Sequence, residues 1–175
     1  MIQKMQKLYF LTLLFAGLLL TGSVSAQGKE TRQSPKAEVK ATLNGGQKVE
    51  MYYSSPSVRG RVIWGELVPY GQIWRTGADE ASTFETDKEV MIDGKKLAAG
   101  KYSLFTIPGE KEWTFIFNKD WKQWGAFSYD TSKDVLRVSV PAYKSPVFNE
   151  KLIIDISDNL LSVRWENVNV NVPLQ

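Results

Sequence analysis

Arg59, Arg61 and Arg75 each carry a planar fork of N–H donors suited to a carboxylate or a phosphate. They stand among Trp64, Tyr70 and Trp74 in "YYSSPSVRGRVIWGELVPYGQIWRTGADEAST", residues 52–83. Gathered in one cleft, the guanidinium groups make an anion site walled by aromatic rings. With Asp79 and Glu80, which close the stretch, these residues are the candidate ligand-binding set. An architectural reading competes with it. Each arginine then pairs with Glu66, Asp79 or Glu80, or caps carbonyls that a crossover broken by Pro and Gly leaves off the ladder. A third reading is enzymatic: glycoside hydrolysis needs two facing carboxyls, about 5 Å or about 6.5–9.5 Å apart across a cleft. Neighbours in a strand point to opposite faces, so Asp79 and Glu80 cannot form that pair with each other, and any pair includes Glu66.

A second aromatic group lies in "NKDWKQWGAFSYD", residues 118–130, with Trp121, Trp124 and Tyr129 in polar, loop-like sequence. Exposed, such rings stack on sugar faces. Burial is the favoured expectation, with the tryptophans plugging the end of a sandwich. Asp130, Asp134, Asp155 and Asp158 offer oxygen ligands for calcium, but their spacing matches no calcium loop, and solvated turns are expected.

The chain has no cysteine and no histidine. Those absences exclude disulfides, thiolate nucleophiles, Cys- or His-ligated metals, the Ser-His-Asp triad and imidazole acid–base chemistry. There is no G-x-S-x-G, no S-x-x-K and no Walker-type glycine loop. Carboxylates, lysine, tyrosine or an oxygen-ligated metal are what remain for catalysis, and no cofactor is expected.

At the N-terminus, Lys4 and Lys7 precede an apolar run, Leu8 to Leu20, and a Val-Ser-Ala ending at Ala26. This is the pattern of a secretory signal peptide spanning 1–26, too short and wrongly flanked for a membrane anchor. Cleavage after Ala26 leaves no membrane span, and places the chain in the bacterial periplasm or outside the cell. It removes two lysines and no acid, so the net charge of +3 falls to +1. With no Lys/Arg block in a near-balanced chain, nucleic acid is not expected as a partner. Nothing in the sequence sets the oligomeric state.

Residues 27–34 are polar and aperiodic, a flexible leader. From 35 to 175 the patterns are those of one β domain. Val39, Ala41 and Leu43 alternate with polar residues, and a Gly-rich turn then leads to Val49, Met51 and Tyr53 in the same phase. Trp113, Phe115 and Phe117 share a face; so do Leu136, Val138 and Val140, then Leu152, Ile154 and Ile156, then Leu161, Val163 and Trp165. Asp93-Gly94 and Asp158-Asn159 mark turns. Short strands at this spacing predict an all-β fold, an antiparallel β-sandwich, with a closed lipocalin-like β-barrel as the alternative.

"SPSVRGRVIWGELVPYGQIWRTGADEAS" followed by "LAAGKYSLFTIPGEKEWTFIFNK" resembles a family of secreted bacterial proteins known as domain of unknown function 2911. The resemblance runs from about Pro35 to the end. It implies bacterial export and a self-contained domain, and it carries no activity and no catalytic residues. The residues themselves favour a non-enzymatic exported binding protein for a small anionic ligand, a saccharide or an envelope component. The alternatives are a purely structural module and the carboxylate-dependent hydrolase.

Overall fold

The computed structural model of the chain describes residues Arg32–Gln175. The signal peptide read at 1–26 and most of the leader read at 27–34 lie outside the described residues. The end of that leader is tied down: Arg32 donates to Glu80 (3.0 Å) and Gln33 accepts from Arg59 (3.1 Å).

Strands β1 (Lys36–Thr42) and β2 (Lys48–Ser54) form the expected hairpin. Val39 pairs with Met51 and Ala41 with Val49, so the alternation in both runs falls on one face. A slip of one residue would turn every apolar side chain to solvent, which is why the pattern sets the register. Gly46, at φ 77°, closes the turn in a left-handed conformation that a Cβ would strain.

After a long crossover come β3 (Ser82–Thr86), the short β4 (Val90–Ile92) and β5 (Lys95–Leu97), then β6 (Gly100–Ile107), β7 (Glu112–Asn118), β8 (Asp134–Ser157) and β9 (Leu160–Pro173). Asp93 and Gly94, both at positive φ, make the two-residue turn between β4 and β5, a turn whose twist matches that of the strands it joins. Seven strands form one antiparallel sheet in the order β1-β2-β3-β6-β7-β8-β9, and β4 and β5 form a small second sheet. Among the described residues the only helical element is the 3-10 turn Thr131–Lys133. The protein is all-β, as expected.

The large sheet curls. The chain just past β2 reaches the second half of β8, where Val58 N–H donates to Glu150 O (2.7 Å) and Leu152 N–H to Pro56 O (2.9 Å). The Tyr53 hydroxyl adds a bond from Ile154 N–H (3.1 Å). Two runs read separately, 134–141 and 151–157, belong to the single 24-residue strand β8. Its first part pairs with β7 and its second with β9. Pro141 sits at the end of the β7 ladder, where its missing N–H removes no bond from mid-sheet. The run with Leu161, Val163 and Trp165 likewise continues to Pro173 as one strand, β9, with Glu166 at φ 52° where the register shifts.

Inside the curl lie the positions the alternation selects, among them Met51, Phe84, Leu104, Phe115, Ile154 and Val163. Four tryptophans meet there. Trp64 and Trp74 come from the crossover and pack on Trp113 of β7 and Trp165 of β9, with contacting ring centroids 4.9–6.0 Å apart. Most of these contacts are edge-to-face, the arrangement that aromatic quadrupoles favour. On the outer face of β6 and β7 a smaller apolar cluster joins Phe105 and Ile116 to Ala81, with Ala126 and Tyr129 of the 119–130 loop packed against it.

Candidate functional site

The crossover from β2 to β3 is pinned from both ends. Trp74 exchanges two backbone bonds with Thr106 of β6, each 2.8 Å, and Val68 N–H donates to Ile63 O (2.8 Å). Gly65 turns at φ 88° with the Tyr70 ring against it. This path brings Arg59, Arg61 and Arg75 to the lining of one small cleft of about 170 Å³. Trp74 reaches that cleft from the core, only 7% exposed, and Trp165 does the same from β9. Trp64 belongs to the tryptophan cluster and does not line the cleft, and Tyr70 stands apart from it, exposed.

The three arginines divide between the two readings. Arg61 caps the crossover: its Nε donates to Val58 O (3.0 Å) and Nη2 to Ser57 O (2.6 Å). Arg59 grips both the side-chain and backbone oxygens of Gln33, each at 3.1 Å. Arg75 does neither, and its buried Nε has no partner among the described residues. Burial disfavours its charged form, and the charge of Asp79 only partly offsets this.

Asp79 and Glu80 are engaged elsewhere: both hold Arg32, at 2.8 Å and 3.0 Å. The expectation that these neighbours face opposite ways fails because they do not sit in a strand. Asp79 takes φ 57°, and the turn swings both carboxylates to one guanidinium. Glu66 lines neither this cleft nor the larger hollow described next, so the fold presents it opposite no acid in either.

The hydrogen bond from Arg32, helped by Lys36, lowers the Glu80 carboxyl from 4.5 to about 2. A folded pKa below the unfolded one contributes stability that is complete above about pH 4.5 and is lost as pH falls toward 2. The side chain is 39% exposed, so screening limits the contribution to about 1 kcal/mol or less. Urea midpoints measured from pH 5 to pH 2 should therefore fall less steeply for Glu80→Gln than for the unaltered protein. Superimposable pH profiles would show that the ion pair adds nothing.

The larger concavity lies on the outer face of the β1–β2–β3–β6 end of the sheet. It encloses about 510 Å³, within the size range of small-molecule sites. Tyr52, Thr83 and Lys101 line it from the strands, and residues Trp121–Trp124 form a wall. The 119–130 loop is built to hold that wall in place. Ser103 Oγ donates to Asp120 O (2.9 Å), Gln123 Nε2 to Asp120 O (2.6 Å), Ala81 N–H to Gln123 O (3.0 Å) and Gly125 N–H to Asp79 O (2.9 Å). Tyr129 anchors the far end, edge-to-face on Phe105 at 4.9 Å. Its hydroxyl donates to Asp134 (2.7 Å), and burial together with that carboxylate pushes it up to about 12.

The favoured expectation of burial for Trp121 and Trp124 is therefore corrected: they are 38% and 63% exposed. The physical reason is that Ala126 and Tyr129 already pack on the outer apolar patch of β6 and β7, and the curl is already filled by the other four tryptophans. Lys101 Nζ lies 4.8 Å from the Trp121 ring centre and 5.3 Å from that of Tyr52, while Lys122 Nζ lies 4.9 Å from Trp121. These are cation–π distances. The Tyr52 hydroxyl donates to Glu50 (2.9 Å), and the acids around it, Glu38 first and then Glu50, push it up to about 12. The aspartates weighed for calcium serve local structure, Asp130 capping the 3-10 turn and Asp134 holding Arg137 (2.7 Å). Among the described residues no cluster of acids could hold a metal ion.

A family model described as a protein of unknown function, DUF2911, matches residues 34–174. The chain belongs to the DUF2911 family. No curated protein and no solved structure matches it. The matched span of this DUF2911 domain holds every residue lining the hollow and all of the cleft lining except Gln33. Among the hollow's residues, Tyr52 and Lys101 escaped the sequence reading. The available signal was phase: Tyr52 lies out of step with Val49, Met51 and Tyr53, so an aromatic ring stood on the polar side of a strand.

Proposed function

We propose that this DUF2911 domain is an exported, non-enzymatic binding protein, and that its ligand is a saccharide or a similar hydroxyl-rich ring seated in the hollow beside Trp121 and Trp124. The observation that carries this reading is the exposure of two tryptophans on a loop whose own bonds hold them beside a concave surface. Aromatic faces take the apolar side of a sugar ring, while polar groups around them read its hydroxyls. Lys36, Lys101 and Lys122 line the hollow and carry ammonium donors. Lys36 pairs with Glu80 (3.3 Å) and Lys101 with Glu85 (2.9 Å), which leaves Lys122 as the lining lysine with no carboxylate partner among the described residues.

Isothermal titration with a panel of neutral and acidic oligosaccharides tests the reading. Saturable binding by at least one member is expected, and a panel with none counts against a saccharide. Export rests on Lys4, Lys7, the Leu8–Leu20 run and Ala26. N-terminal sequencing of protein recovered from a bacterial envelope or medium should read from Gln27. A chain that still begins at Met1 contradicts it.

A further inference from the structure

The cleft lined by Arg59, Arg61 and Arg75 is a separate feature, and the reading of the hollow does not depend on it. Its lining holds three guanidinium groups and no carboxylate. Two buried donors on residues that line it, Arg75 Nε and Trp165 Nε1, lack partners among the described residues. A buried donor left unpaired is costly. Arg75 as a whole is half-buried, and only its Nε is enclosed, so its terminal guanidinium nitrogens are the ones able to meet a ligand. Arg59 and Arg61 each spend only part of their five-donor forks on Gln33, Val58 and Ser57.

We propose that this cleft binds a phosphoryl group, as inorganic phosphate or as the head of a phosphate monoester. A carboxylate offers one charge and two oxygens in a plane, whereas a tetrahedral dianion accepts from several directions and balances more than one cation. The volume of about 170 Å³ is ample for one such group.

The test uses the full mature chain at constant ionic strength, because salt alone weakens such contacts and phosphate also stabilises proteins without a site. Orthophosphate at about ten times its dissociation constant should raise the melting temperature by roughly 3–6 °C. Arg75→Met should erase that rise while leaving the phosphate-free melting temperature unchanged or higher, since it removes a half-buried cation whose Nε has no partner among the described residues. In the unaltered protein, ¹H–¹⁵N spectra should show the Arg75 Nε and Trp165 Nε1 resonances moving together and saturating with phosphate. Glycerol phosphate binding more tightly than orthophosphate identifies a monoester as the source, and the reverse order identifies the free ion. Acetate acting as well as phosphate overturns the phosphoryl assignment. So does a rise that persists in Arg75→Met, or a pair of resonances that phosphate leaves in place.

Discussion

Replacing Trp121 and Trp124 together by alanine is expected to weaken oligosaccharide binding at least about 100-fold, because truncating a tryptophan at a binding hot spot costs about 2 kcal/mol or more and 1.4 kcal/mol is tenfold in affinity. The same double variant should unfold in urea within about 1 kcal/mol of the unaltered protein, since substitutions at exposed positions change stability little. Both rings are partly in solvent, and the bonds that hold their loop run through Asp120, Gln123, Gly125 and Ser103 rather than through the indoles. Titration calorimetry and urea melts on one preparation check the two halves together. A variant that binds as before contradicts the hollow as the site. Lost binding accompanied by a collapse in stability would mean that the rings are structural after all.

Trp113→Ala should do the opposite. Trp113 is 1% exposed and packs on Trp64 and Trp74, with centroids at 4.9 and 6.0 Å. Truncating a buried aromatic ring costs about 3–5 kcal/mol through lost transfer energy and the cavity left behind. Against a total of about 5–15 kcal/mol for a whole domain, that is a large share, and the urea midpoint should drop accordingly. A shift below about 1 kcal/mol would mean that the four rings do not form the close-packed centre described above. At temperatures where the variant remains folded, its oligosaccharide affinity should match that of the unaltered protein.

The strands were legible because strand burial has a period of two, and Val39, Met51, Phe115, Val138 and Ile154 keep to it. The turns at Gly46 and Asp93-Gly94 were legible because few residues tolerate positive φ there. What local pattern could not show is continuity across a break. Pro141 reads as a terminator, yet it lies where one partner strand ends and another begins, so β8 runs on. For the same reason the curl was not legible: it depends on Pro56 and Val58 meeting Leu152 and Glu150, nearly a hundred residues away.

The candidate sites divide in a similar way. Arg59, Arg61 and Arg75 do share a cleft, because the crossover that carries them is pinned at Ile63, Val68 and Trp74. Trp64 and Trp74 beside them went to the core, where large rings gain most from leaving water, and only Trp74 also reaches the cleft. Trp121 and Trp124 are the same residue type with the opposite fate. Composition alone cannot separate the two pairs, since the difference lies in which apolar surface was already covered. Asp79 and Glu80 escaped the strand rule because Asp79 itself takes φ 57°, outside strand geometry, before β3 begins at Ser82.

The most direct measurement is a ¹H–¹⁵N spectrum of the six indole N–H groups during titration with an oligosaccharide that the calorimetric panel finds to bind. The resonances of Trp121 and Trp124 should move and saturate at the calorimetric affinity, while those of Trp64, Trp74, Trp113 and Trp165 stay where they are. Movement confined to the four buried indoles, or saturable binding that leaves both loop indoles unmoved, would contradict the hollow as the binding site.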